Sequence, residues 1–264
     1  MSLRIGLALG GGAALGLAHI GVLKVLSEEG IRVDCVAGTS AGAVVGAAVC
    51  AGRSWSEIWA AARRLEWTHI VSLTFPRQGM MRLDKLERYV ETLIGARDFT
   101  QLLLPFATVA TDLENGEQVV FTTGSVAKAV RASCSVPGLF EPFRDGETAL
   151  VDGGLVNDVP ADAARALGAD IVIAVNLHSR KLQSGPPRNI LDIAYYTFDI
   201  LLANAGQRGI SQADIVVGPD LRGFHYRNLK KADELVERGA QAMRGSMGEL
   251  KQIISARRQR TSNA

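Results

Sequence analysis

The segment Gly38-Thr39-Ser40-Ala41-Gly42 stands between Arg32–Ala37 and a run of small residues, Ala43–Ala51. This pattern predicts strand, tight turn and helix with a serine at the apex. Gly38 and Gly42 leave out side chains where the incoming strand and outgoing helix must approach each other. A serine held there projects its hydroxyl. The next backbone N–H, that of Ala41, then lies at a helix N-terminus, where it can face a developing negative charge. The same residues also fit an ordinary helix start, with Ser40 or Thr39 as N-cap in a closely packed strand–helix pair.

A second glycine cluster bears on that choice. Arg4–Leu9 reads as a short buried strand, Gly10-Gly11-Gly12 follows directly, and Leu17–Glu29 carries apolar residues at helical spacing. A glycine-rich turn between strand and helix offers backbone N–H groups to an anion. A dinucleotide fingerprint fits poorly, since Ala13 stands at its middle glycine and Asp34 is the one acidic candidate for the ribose. A phosphate-binding Walker loop fails, because Leu17-Ala18 follows Gly16 where Lys and Ser/Thr are required. An oxyanion loop serving the serine turn needs only N–H donors, and it fits.

The third element is Asp152-Gly153-Gly154, which closes the short segment Thr148–Val151 and opens the loop Leu155–Pro160. An isolated Asp-Gly is most often a plain turn. Beside the other two elements it becomes a candidate base at a strand end.

With these residues the chain resembles the patatin-like phospholipase family over roughly Arg4 to Leu177. Leu7–Gly12 with Leu17–Leu23 is similar to the family's oxyanion loop and following helix. Gly38–Gly42 is similar to its nucleophile elbow, and Asp152-Gly153-Gly154 to its Asp-Gly-Gly motif. Ala110–Leu113, Ala129–Ser133 and Ser135–Phe140 resemble stretches of bacterial members. The resemblance implies a Ser–Asp dyad in which Ser40 attacks an ester carbonyl and Asp152 is the general base. It further implies an oxyanion hole built from Gly10, Gly11, Gly12, Ala13 and Ala41, with Gly16, Gly38, Gly42, Gly153 and Gly154 supporting the motifs. Lipid or small acyl-ester substrates follow, with no metal and no cofactor. Two positions depart from the family. Leu15 stands where many members have Arg or Lys before the last glycine, and Ala13 replaces a glycine. Ala13 still donates its N–H and is a mild change provided its φ is negative.

The expected fold is α/β, a mainly parallel central sheet with helices on both faces in three layers. Asn115-Gly116, between Phe106–Thr111 and Gln118–Thr122, signals a hairpin. Ala161–Leu167 reads as a helix closed by Gly168, Asp170–Leu177 as a buried strand and Gln183–Arg188 as a surface loop. Asn189–Gly209 reads as a helix, Ala213–Val217 as a last strand and Lys230–Arg257 as a surface-lying helix. Trp55–Pro76, with Trp55, Trp59 and Trp67, is expected to be helical material near the site entrance, mainly in packing roles. At 264 residues, with no linker or repeat, residues 1–264 are expected to form a single domain, motif-bearing over about 4–177 and completed by the strand and helices of 189–257.

A composition of 47% hydrophobic and 21% charged residues suits a globular protein, and a net charge of +2 does not suggest nucleic acid. The basic cluster Arg257-Arg258-Gln259-Arg260 reads as a solvated helix end. Cys35, Cys50 and Cys134 lack metal spacing and read as buried free thiols of a reducing compartment. No leader is expected, because the chain enters a strand at once. Val36–Ala51 is too short and too rich in Gly, Ser and Thr to span a membrane. The cytoplasm, with peripheral contact at a membrane surface, is the expected location. The sequence is silent on oligomeric state.

Two alternatives stay open. A Ser–Asp–His triad of the α/β-hydrolase kind could recruit His178 or His225, both after Asp152 in the chain. His178, at a strand end, is the stronger of the two, although the serine turn comes too early for that fold. His19, on the helix after the oxyanion loop, reads as a packing residue, and His69 has no motif around it. A scaffold or regulatory protein on a patatin-like fold is the other alternative. The intact Ser40 and Asp152 argue against it, and Leu15 argues mildly for it.

Overall fold

The computed structural model describes residues 3–75, 78–96, 98–178, 186–187 and 189–262. The chain opens with two strand–helix units, β1 (Ile5–Leu9) with α1 (Leu17–Glu28) and β2 (Cys35–Thr39) with α2 (Ala41–Cys50). Helices α3 (Trp55–Ala62) and α4 (Trp67–Ile70) lead into a small hairpin, β3 (Ser72–Leu73) and β4 (Met81–Arg82), and then α5 (Asp84–Ile94). Next come β5 (Phe106–Asp112), β6 (Gln118–Phe121), α6 (Val126–Ser133), β7 (Phe143–Asp145) and β8 (Thr148–Asp152). The chain continues through α7 (Gly154–Asn157), α8 (Ala161–Ala166), β9 (Ile171–Val175), α9 (Ile190–Gly209), β10 (Ile215–Val217) and α10 (Ala232–Ser262).

The main sheet runs β10-β9-β1-β2-β5-β8-β7, with β6 also paired to β5. The strands from β10 through β5 are mutually parallel. Strands β6, β7 and β8 run antiparallel to their neighbours. The α/β architecture is therefore as expected, and the sheet is mixed at one side. That reversal positions the site. Thr39 pairs with Val109 and Asp152 pairs with Ala110, so the C-terminal ends of β2 and β8 meet at adjacent residues of β5 from opposite directions.

The period of two in the strands divides the core into two layers. Leu7, Leu9, Val36, Ile171, Ile173 and Val175 join the large core formed with α1, α2 and α10. Ala8, Cys35, Ala37, Ala107, Val172 and Ala174 face the other way, against the alanines of α8. Small side chains on that second face let α8 and the turn after it lie close: a Cβ on Gly6 would come 3.6 Å from Ala164 Cβ of α8 and 2.7 Å from Ala169 Cβ.

The C-terminal helix α10 lies on the domain as expected, its charged face exposed, and its inner face buries Leu235, Ala240, Met243 and Leu250 completely. It crosses α1 at backbone contact, for a side chain on Gly21 would strike the Val236 carbonyl and one on Gly239 the Ala18 carbonyl. Glycines on both helices remove the bulk that normally holds helices 8–10 Å apart. The expected hairpin turn and helix stop appear at Gly116 and Gly168, both with positive φ. The three tryptophans are half-buried and pack on the main core, as expected. Most of the loop expected over Gln183–Arg188 lies outside the described residues.

Candidate functional site

Ser40 sits between β2 and α2 with φ 52° and ψ −120°, a conformation that non-glycine residues adopt only under constraint. The constraint is visible on all sides. Gly42 carries no side chain because a Cβ there would collide with the Leu9 carbonyl, and one on Gly38 would lie 2.5 Å from the Gly42 carbonyl oxygen. The Ser40 N–H donates to Ser133 Oγ at 2.8 Å, and the Thr39 hydroxyl donates to the Asn157 carbonyl at 2.9 Å. Ser40 makes no side-chain cap on α2, so the N-cap alternative does not describe it. Its backbone carbonyl accepts from Ala43 and Val44 N–H instead, and the Ala41 N–H has no hydrogen-bond partner among the described residues.

Asp152 ends β8 and is wholly buried. Its N–H donates to the Ser135 carbonyl, and its own carbonyl accepts from the Thr111 hydroxyl, each at 2.9 Å. Carboxylate Oδ1 accepts the Gly154 N–H at 2.8 Å, whereas Oδ2 has no hydrogen-bond partner of good geometry among the described residues. Burial pushes the carboxyl up to about 7, opposed by the nearby Ser40 hydroxyl and the Gly154 N–H. Asp158 adds to the rise and His178 counters it. Asp152 is thus poised between its acid and base forms near neutrality, beside a serine hydroxyl.

The glycine turn after β1 commits some of its amides to structure and leaves others unpaired among the described residues. Gly10 N–H donates to the Val175 carbonyl, Gly11 N–H to Asp158 Oδ1 at 3.0 Å, and Ala14 N–H to the Tyr226 carbonyl. The amides of Gly12 and Ala13 have no partner among the described residues. Gly12 has φ 150° and Ala13 φ 51°. The expectation that Ala13 would keep a negative φ is therefore corrected: the alanine is held left-handed, at a cost that glycine would not carry. Leu15, at the position of the missing basic residue, is fully buried in the main core and supplies packing. Trp67 Nε1–H donates to the Arg227 carbonyl at 2.8 Å, which ties α4 to the segment whose Tyr226 holds Ala14.

The histidines are distributed differently from the triad alternative. His178 Nδ1 lies 2.8 Å from Asp199 Oδ1, and its Nε2 lies 3.9 Å from Asp158 Oδ2. His225 stacks on Tyr226, and His69 accepts the Glu66 N–H within α4. His19 is buried, with Nε2–H donating to the Gly10 carbonyl at 2.8 Å, and burial lowers it to about 4. It remains neutral and braces the turn. Cys35 and Cys50 are buried, whereas Cys134 is only partly so, a correction to the expectation for all three. The Cys134 thiol is pushed upward by burial and by the Asp152 charge.

Sequence reasoning missed Ser133, Asp158 and Asp199 as residues of the site. Among them only Asp158 carried a signal, being an acidic residue four positions after the Asp-Gly-Gly motif. Among the described residues no group of three or more His, Cys, Asp or Glu side chains is arranged to hold a metal ion.

A mixed α/β sheet thus brings a strained serine turn and a buried aspartate to converging strand ends. The model of patatin-like phospholipases matches residues 7–165, and the chain belongs to that family. Among curated relatives, it is 32% identical over 271 aligned positions to an uncharacterized NTE family protein of Mycobacterium bovis, covering 92% of this chain and 46% of that one. It is 37% identical over 185 positions to patatin-like phospholipase domain-containing protein 7 of Mus musculus, covering 67% of this chain and 14% of that one. The chain thus spans about half or less of the length of these relatives. Its fold is that of VipD from Legionella pneumophila, with TM-score 0.64 at 14% identity, covering 96% of this chain and 67% of VipD. The type III effector ExoU gives TM-score 0.54 at 13% identity, covering 94% of this chain and 53% of ExoU.

Proposed function

We propose that this chain is a serine acyl hydrolase, of the phospholipase A, lysophospholipase or carboxylesterase kind, working through Ser40 and Asp152. The observation that carries the reading is a strained serine beside a wholly buried aspartate whose second oxygen is unpartnered. In this scheme Asp152 takes the Ser40 proton as Oγ attacks the ester carbonyl carbon. The tetrahedral oxyanion is met by backbone N–H groups. Gly12, Ala13 and Ala41 are the best candidates, since the Gly10 and Gly11 amides already have partners. Collapse of that intermediate breaks the C–O ester bond, and Asp152 returns the proton to the leaving alcohol. Water, deprotonated by Asp152, then attacks the acyl-serine, releasing the fatty acid and restoring the Ser40 hydroxyl.

A carboxylate with an ordinary pKa is a weak base toward a serine hydroxyl, so burial of Asp152 supports the assignment. A triad histidine would hold Nε2 on the serine, but His178 Nε2 faces Asp158 Oδ2 at 3.9 Å and makes no hydrogen bond to Ser40, which weighs against a role as the base of a triad. We read residues 1–264 as one such unit in the cytoplasm, meeting lipid esters at a membrane surface by peripheral contact. No helix among the described residues is long and apolar enough to cross a membrane.

Hydrolysis of a p-nitrophenyl ester and of lysophospholipid by purified protein tests the proposal. Wild type should release product, while Ser40→Ala and Asp152→Asn should each lose about 10²-fold or more. A folded wild-type protein that turns over neither ester would favour the scaffold alternative.

A further inference from the structure

Behind the glycine turn lies a cluster of charged groups that the scheme above leaves unused. Asp158, between α7 and α8, is wholly buried, and so, very nearly, is the side chain of His178, at the end of β9. Asp199 on α9 completes the set, 2.8 Å from His178 Nδ1. Burying Asp158 and His178 beside the partly exposed Asp199 is costly unless these groups serve one another. Here two carboxylates flank one imidazole.

The cluster touches the catalytic elements at two points. A Cβ on Gly11 would lie 2.8 Å from Asp158 Oδ1 and 3.3 Å from Ser40 Cβ, so the Gly11 backbone is sandwiched between the Asp158 carboxylate and the serine. A Cβ on Gly154 would lie 3.0 Å from Asp152 Oδ1 and 3.4 Å from Asp158 Oδ1, so the two carboxyls share the space around that residue. Two buried carboxylates so placed repel each other, and a cation beside one of them relieves the repulsion.

We infer that Asp158, His178 and Asp199 are positioning residues for the acyl-transfer site. Asp158 anchors the oxyanion turn through the Gly11 N–H, and His178, held by Asp199, balances the Asp158 charge behind Asp152. The inference rests on the proposed hydrolase reading. The arrangement explains why Gly11 donates away from the serine while Gly12 and Ala13 stay unpartnered. Burial alone would lower His178, but the Asp158 and Asp199 carboxylates outweigh it and keep the ring protonated above its ordinary value. The titratable groups facing the cluster from the surrounding elements are His19 on α1, Asp152 on β8 and, beside Asp152, Cys134 after α6. His19 stays neutral and Cys134 stays a thiol, so the charged neighbours that act on Asp152, after burial, the Ser40 hydroxyl and the Gly154 N–H, are Asp158 and His178.

Three variants separate this role from plain structural support. Asp158→Ala removes the Gly11 anchor, and kcat should fall about 10²-fold with KM little changed. Asp158→Asn keeps an acceptor for Gly11, so it should restore most of kcat. With a negative charge gone, it should also move the acid limb of the kcat/KM profile to lower pH by about one unit. His178→Gln removes the balancing cation and should move that limb the other way. Limbs that stay put or move together, or an Asp158→Ala variant as fast as Asp158→Asn, would overturn the inference. NMR titration of the His178 ring supplies a readout independent of turnover: the ring should hold its proton above the ordinary histidine range in wild type and lose it earlier in Asp158→Asn. Equal titration in the two proteins would also overturn it. Should Asp158→Ala not fold, Asp199→Asn leaves the Gly11 contact intact and should likewise lower the His178 titration. If wild type hydrolyses no ester, the hydrolase reading fails, and the NMR titration alone decides the charge balance.

Discussion

The Ser133 hydroxyl on α6 accepts the backbone N–H of Ser40 at 2.8 Å, so a residue ninety-three positions away holds the serine turn in its strained form. Removing that acceptor leaves an N–H unpaired beside the site, at a cost of about 1–3 kcal/mol. Ser133→Ala should therefore lower thermal stability and slow ester turnover about tenfold or more while the fold is kept. Circular dichroism with a thermal melt, set beside ester kinetics, checks both effects. Unchanged turnover would mean the turn holds without Ser133.

Strain at Ser40 predicts a trade of stability against activity. At φ 52° and ψ −120° a serine is held at a cost of about 1–3 kcal/mol, most of which glycine avoids. Ser40→Gly should be inactive yet melt higher than Ser40→Ala, which keeps the strain. Equal melting temperatures for the two variants would contradict the strained geometry.

The glycine turn yields a paired prediction. Ala13 is held at φ 51°, so Ala13→Gly should stabilise the protein by about 1 kcal/mol and leave turnover close to wild type. Gly12, at φ 150°, has no such latitude, and a Cβ there would lie 2.9 Å from Leu177 Cδ1. Gly12→Val should abolish turnover, since loss of one oxyanion donor typically costs about 3–4 kcal/mol. Ester kinetics on the two folded variants decide the matter, and an active Gly12→Val would remove the turn from the mechanism.

How much of this was legible in the sequence follows from the range of each interaction. The strand–turn–helix at Gly38–Gly42, the glycine turn after β1 and the strand-end Asp152 are local patterns, written within a few residues of each other. Ser133, Asp158 and Asp199 act across long separations, and apart from the motif just before Asp158 nothing in their own neighbourhoods marks their roles. The left-handed Ala13 escaped because its conformation is imposed by contacts such as Ala14 N–H to the Tyr226 carbonyl. The partner of α10 escaped for a similar reason. Its charged-and-apolar alternation shows a surface helix with one buried face, but not that Gly21 and Gly239 let that face reach the backbone of α1, far away in the sequence.

Asp152 should leave its mark on pH dependence in two ways. Its carboxyl stands at about 7 in the fold, and it must be ionised to act as a base, so kcat/KM should fall below about that pH. For stability the sign is reversed from the usual carboxylate. The folded state holds the proton that the unfolded chain releases near 3.9, so this group's contribution is fully present below about pH 4 and lost as pH rises through about 7. Asp152→Asn should therefore gain stability over wild type at pH 8, on the order of a few kcal/mol, and gain little at pH 4. Urea melts of both proteins at the two pH values test this, and a constant difference would contradict a buried, raised carboxyl.

The central claim is that Ser40 is the nucleophile, and covalent labelling tests it most directly. An alkyl fluorophosphonate should react with wild type, abolish ester hydrolysis in proportion to labelling, and leave its adduct on the peptide carrying Ser40 by mass spectrometry. Asp152→Asn should label far more slowly than wild type and Ser40→Ala not at all. An adduct on another residue, or undiminished hydrolysis by folded Ser40→Ala, would contradict the account.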